Sequence, residues 1–246
     1  MLAVCYLTIF AAREAAAQPL PWTDRGYFNL NVAFETTTDE FTDNGTRPVY
    51  LEEATFSTTQ AIDSGALFDF SAGARVWRNL SFGIGYHQGS TDSDATMQGS
   101  VPHPEVFNRP RTFNATVTGL ERSERAVHVQ VGYMIIVSDR VSAHIMAGPS
   151  FFKVRQNVPS GVDFVEGPGF TSVTATPTVT ERVDSPVGFN FGVDVTYRIV
   201  QVGAASVGAG VLLRYAAAKA DIQLLQNTVE TDLGGFQVGL GARLRF

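Results

Sequence analysis

The chain ends on Phe236-Gln-Val-Gly-Leu-Gly-Ala-Arg-Leu-Arg-Phe246, which alternates without a break. Phe236, Val238, Leu240, Ala242, Leu244 and Phe246 fall on one face of an extended strand, and Gln237, Gly239, Gly241, Arg243 and Arg245 on the other. Successive side chains of a strand point to opposite sides. One face therefore suits hydrocarbon and the other a crowded polar enclosure, as in a strand that crosses a membrane. Such a strand runs ~33 Å, or ~24 Å along the bilayer normal at a tilt of about 45°, close to the apolar band it has to cover.

The same alternation recurs upstream. Residues 26 to 36 set Phe28, Leu30, Val32 and Phe34 against Asn29, Asn31 and Glu35, and 62 to 77 set Phe68 and Phe70 against Asp69, Ser71 and Arg75. Further runs follow at 80–87, 123–137, 141–151, 187–198 and 207–215. Tight turns at Trp77-Arg78-Asn79, Ser138-Asp139-Arg140 and near Val200-Gln201 alternate with long polar connections at 37–60, 88–122, 155–183 and 217–233. The count predicts an all-β fold: an eight-stranded, antiparallel, up-and-down transmembrane β-barrel with short periplasmic turns and long extracellular loops. Aromatics on the apolar face gather at two levels, as bilayer interfaces favour. Phe28, Phe82, Tyr133, Tyr197 and Phe246 fall at the turn end, and Phe34, Tyr86, Phe151, Phe189, Tyr215 and Phe236 at the loop end.

Composition narrows the partners. Net charge is −6 and no basic stripe exists to neutralise phosphates, so nucleic acid is excluded. No apolar run approaches the roughly 18 residues of a membrane helix. Residues 1–17 read as a signal peptide, with a short apolar core and Ala15-Ala16-Ala17 before Gln18, leaving 18–246 as a single barrel domain. The front lacks the usual basic residue, so the true start is expected upstream. Cys5, the one cysteine, lies in this leader, so the processed chain has no disulfide or thiolate chemistry. A soluble barrel would alternate too, with its polar face towards water. Here that face is mostly Gly, Ser, Asn and Gln, and lysine occurs only at Lys153 and Lys219, which suits a lumen better than a water-facing surface.

With its leader, its eight runs, its loop order and its Leu244-Arg245-Phe246 end, the whole processed chain resembles the small eight-stranded outer-membrane barrels, the OmpA-type, OmpX and OmpW-like group. The resemblance implies the bacterial outer membrane, contact with its lipid and lipopolysaccharide, and recognition of Phe246 by the barrel-assembly machinery. It implies no single activity, because sites rather than folds carry function.

Inside the barrel, Arg75, Asp69, His128, His144, Asp194, Arg198, Arg243 and Arg245 are predicted to form a lumen polar network, with Glu35, Glu124 and Arg214 beside them. Arg75, Asp194, Arg198, Arg243 and Arg245 are expected as one cluster near the periplasmic ends. Buried charges have to pair, so the network is read as a packed plug, with a gated water path as the rival. Ser142 and His144 share a face, but lipid A deacylase barrels place His before Ser and on the lipid side, so no catalytic residues are assigned. Neither a cofactor nor a metal site is expected, since His87, His103, His128 and His144 lie on separate segments. Acidic loop residues Asp39, Glu40, Asp43, Glu52 and Glu53 read as a solvated surface. The expected function is structural or loop-mediated surface interaction, with an extracellular ligand at the loops. A narrow channel for small or apolar solutes is the first rival, and a lipid-modifying enzyme the second.

Overall fold

The computed structural model describes residues 21–36, 39–63, 65–224 and 227–246, so the expected leader at 1–17 lies outside the described residues. The strands are β1 (Gly26–Glu35), β2 (Asp39–Val49), β3 (Glu52–Ile62), β4 (Ala66–Trp77), β5 (Leu80–Val101), β6 (Arg111–Ile136), β7 (Val141–Glu166), β8 (Val173–Asp184), β9 (Val187–Val202), β10 (Ala205–Gln223) and β11 (Thr228–Arg245). Eight of them close a ring in the order β1, β4, β5, β6, β7, β9, β10, β11, every pair antiparallel. The terminal strand seals it: Phe28 faces Leu244, Leu30 faces Ala242 and Val32 faces Leu240. A closed ring leaves no unpaired edge in lipid, where an unsatisfied backbone group costs several kcal/mol.

The expected faces hold around the ring. Leu30, Phe68, Val131, Phe191 and Leu240 are exposed outside, whereas Asn29, Asp69, Gln130, Asp194 and Arg243 are buried inside. All eleven girdle aromatics lie on the outer face, Tyr86 half-buried and the others exposed. In-strand glycines make space within the lumen. A Cβ on Gly83 would lie 2.2 Å from the Tyr27 hydroxyl, and one on Gly210 would lie 2.6 Å from Arg243 Nε.

Beyond the outer rim the segments expected as loops are largely β-structure. β2 and β3 form a hairpin across Tyr50 and Leu51, which adopt left-handed φ of 50° and 67°. β3 pairs with the upper part of β5 from Thr55–Ser100 to Gln60–Ala95. β5 and β6 run on together to Val101–Arg111, β7 pairs β8, and β10 with β11 continue to Gln223–Thr228. The polarity of the two faces inverts at the rim, which explains why these strands read as loops. Phe151 and Tyr215 point out towards lipid, but Phe152, Val154, Val158, Ala218 and Ile222 are buried inside. Above the bilayer the outside is water, so burial of apolar surface favours the interior face. Gly234 and Gly235, with φ of 79° and 133°, bend β11 where the faces exchange.

Two apolar cores result. One roofs the lumen with Phe41, Ile62, Phe152, Val158, Ile222 and Leu233. The other, further out, packs Phe56, Met97, Val101 and Phe113 against Val162 and Phe164. At the tip, Arg111 is ion-paired with Glu166, while the Tyr50 hydroxyl donates to Glu166 Oε1 at 3.0 Å. The hydrogen bond from Arg111 holds the Glu166 carboxyl below the usual carboxylate range, and donation to Glu166 pushes the Tyr50 phenol up.

Candidate functional site: the polar lumen

The lumen is filled in layers. At the periplasmic mouth Trp22 lies across the opening and packs with Tyr27 and Met134. Asn79, on the tight turn between β4 and β5, fixes this floor by donating to the Met134 carbonyl at 2.6 Å.

Above the floor, Asp194 on β9 takes both arginines of the terminal strand. Arg243 Nη2 lies 2.5 Å from Asp194 Oδ2 and Arg243 Nε donates to Oδ1 at 2.9 Å. Arg245 Nη2 lies 3.5 Å from Oδ1 and donates to Thr196 Oγ1 at 2.9 Å, while its Nη1 donates to Asn29 at 2.6 Å. Fork-to-carboxylate pairing is the arrangement that a buried pair requires, and the Arg245 Nη donors are satisfied while its Nε is left without a partner.

A second cluster occupies the upper half. Arg214 pairs with Asp69 at 2.7 Å and donates to Gln237 at 2.8 Å, and Gln237 in turn donates to Glu35 at 2.7 Å. Ser150, His128, His87 and Glu124 form a chain, with contacts of 2.7, 2.9 and 3.6 Å in that order. A serine–imidazole–imidazole–carboxylate sequence is chemically able to pass a proton, but Ser150 and His128 are wholly buried and offer a substrate no approach. Arg122 closes the top, donating to Glu124 at 3.3 Å and to Gln156 at 3.2 Å.

The predicted network is therefore divided. Asp194, Arg243 and Arg245 share one cluster; Asp69 and His128 belong to the other. Arg75 and Arg198 join neither, which corrects the expectation of a single periplasmic cluster. Arg75 donates to the Trp22 carbonyl, and Arg198 donates to the Asp139 carbonyl and to Gln201. Both arginines sit at strand ends, where backbone carbonyls of the turns and the N-terminal segment lie nearer than Asp194. His144 meets Ser81 at 2.8 Å rather than Ser142, and stacks edge-on to Tyr27 at 4.9 Å. Sequence reasoning missed the pairing of His87 with His128 and the inward position of Arg122. Reading 88–122 as a loop hid the register that sets His87 one strand from His128. Among the described residues no group of three or more His, Cys, Asp or Glu is placed to hold a metal ion.

Two recesses open towards the lumen. The periplasmic one, about 300 Å³, is lined by Trp22, Asp139, Arg198 and Arg243. The outer one lies above the short β1 and β4 and is lined by Ile62, Leu67, His87, Arg122 and Glu124, with room of about 40 Å³. They share no lining residue, and Asp69, Gln130 and Arg214, each at most 1% exposed, stand between them.

An eight-stranded ring, apolar outside and hydrogen-bonded inside, defines an integral transmembrane β-barrel of the bacterial outer-membrane type. No protein-family model matches the chain, and no curated protein matches it in sequence. Among solved structures it is similar to Neisserial surface protein A, at 13% identity over 89% of this chain and 95% of that one, with a TM-score of 0.41. It is also similar to OprG from Pseudomonas aeruginosa (7% identity, 91% and 96% covered, TM-score 0.43). A third likeness is to Ail of Yersinia pestis in complex with the heparin analogue sucrose octasulfate (10% identity, 90% and 99% covered, TM-score 0.39). At these scores the likenesses add nothing to the architecture, which rests on the register and the apolar exterior.

Proposed function

We propose that residues 18–246 form one closed, non-catalytic barrel whose role is to hold an ordered extracellular β-platform for contact at the cell surface. The observation that carries this reading is the extracellular core. Burying Phe41, Phe56, Met97, Phe113, Val162 and Leu233 outside the bilayer fixes the upper strands in one arrangement. A pre-ordered surface binds without the entropy cost of ordering loops. It carries a wide, open groove of about 890 Å³ lined by Asn44, Thr55, Gln98, Thr112 and Asn114, whose amides and hydroxyls suit a polar ligand, with Phe56 and Phe113 beside them. Terminal Phe246 accepts backbone hydrogen bonds from Arg25 and Gly26, and we take this strand as the one the assembly machinery reads. Trimming the β5–β6 extension above Ser93 and Leu120 to a short turn tests the role. Surface binding should fall while the barrel still folds; unchanged binding and envelope phenotypes in a folded, trimmed barrel would sink it.

The channel reading is weaker, because the outer recess of about 40 Å³ holds little more than a water or two. In planar bilayers the barrel should show no steady single-channel steps. Regular steps that change size in Arg214→Ala would establish conduction through the lumen.

A further inference from the structure

We propose that Arg125, Lys153 and Arg155 form a docking site on the outer wall for the phosphate groups of lipid A in the outer leaflet, an inference that rests on the outer-membrane reading above. Arg125 on β6 stands directly opposite Lys153 on β7, and Arg155 lies two residues further up β7, opposite Ser123. All three are exposed and point outwards.

Their height is set by the inversion of faces. Phe151 is the last aromatic of the outer girdle on β7, and Lys153 is the next outward residue. Two residues of tilted strand raise Lys153 by ~5 Å and Arg155 by ~9 Å along the normal, from hydrocarbon edge to headgroup level. At these levels β5 presents Gln88 and Ser90, and β10 presents Ala217 and then Lys219, which is ion-paired with Glu230.

Cross-strand like charges repel, so a cationic pair placed opposite destabilises a sheet unless an anion sits between them. Arg111 pairs with Glu166, Arg122 with Glu124 and Lys219 with Glu230, yet among the described residues Arg125, Lys153 and Arg155 make no ion pair. This holds in a chain with 24 acidic against 18 basic residues. Arg125 and Arg155 also line a dip of about 150 Å³ together with Glu121, Ser123, Asn157 and Glu181, so two carboxylates share its wall and Lys153 adds the cationic excess. Guanidinium groups suit phosphate oxygens, and the serine and asparagine beside them suit the attached sugar.

The test uses the full chain folded in detergent micelles, with bisphosphorylated lipid A, dephosphorylated lipid A and phosphatidylglycerol as probes. Wild type should retain the bisphosphorylated form preferentially, and R125Q/K153Q/R155Q should lose at least about tenfold of that retention, on the basis of roughly fivefold per charge near an anionic surface. Lys219→Gln, at an ion-paired position on another wall, should retain it fully. If the triple variant loses its sheet circular dichroism, Lys153→Gln alone should still cost about fivefold. Equal retention of phosphatidylglycerol, or undiminished retention by the charge variants, would overturn the site. Failure of wild type to fold in micelles would instead count against the membrane barrel itself.

Discussion

Asp194→Ala is expected to destabilise the folded barrel by about 3–5 kcal/mol, the cost of leaving buried cations without their partner. Asp194 and Arg243 side chains are both 0% exposed, and Arg245 is 5% exposed, so water offers little relief. The loss reaches beyond one pair, because Thr196 also donates to Asp194 and accepts from Arg245. Asp194→Asn keeps the acceptor oxygen and the shape, and should lose less. Denaturant unfolding in phospholipid vesicles measures both. A loss under about 1 kcal/mol for the alanine variant would mean that the cluster is solvated, and that the lumen is wetter than its packing implies.

Leu240→Arg is expected to cost about 2–4 kcal/mol, the penalty for arginine on the lipid face near the bilayer midplane. Leu240 lies on the outer face, opposite Val32 on one side and Val211 on the other, with the girdles well above and below it. Val207→Arg on β10, one rung from the periplasmic turn, should cost only about 0–1 kcal/mol, since arginine reaches the headgroups there. The difference between the two positions carries the information. Equal penalties would mean that no apolar slab surrounds the barrel.

Within the bilayer the sequence was transparent, because one rule governed every strand: apolar residues at Phe28, Leu30, Val32 and their counterparts pointed out, and polar ones in. Above the rim the rule reversed. Phe151 faces lipid and Phe152 faces the extracellular core, so two adjacent apolar residues interrupt the alternation just where the strand continues. Gly99, Pro159 and the many threonines then read as loop signals, although Pro159 sits beside an irregularity in the β7–β8 ladder, where a missing N–H is tolerated. Faces of single strands were legible, but pairings across strands were not. Alternation put Asp194, Arg243, Asp69 and Arg214 in the lumen, yet only the register of β9, β10 and β11 decides that Asp194 meets Arg243 while Arg198 turns to Asp139.

The apolar outer residues of the ring touch acyl chains. Spin labels at Leu240→Cys and Val131→Cys in a Cys5→Ser background, with the protein in vesicles, test this contact by comparing collisions with oxygen and with a water-soluble nickel chelate. Both sites should be oxygen-rich and shielded from nickel, with Thr178→Cys on the extracellular β8 showing the reverse. Nickel access at Leu240 and Val131 equal to that at Thr178 would contradict the barrel in its membrane.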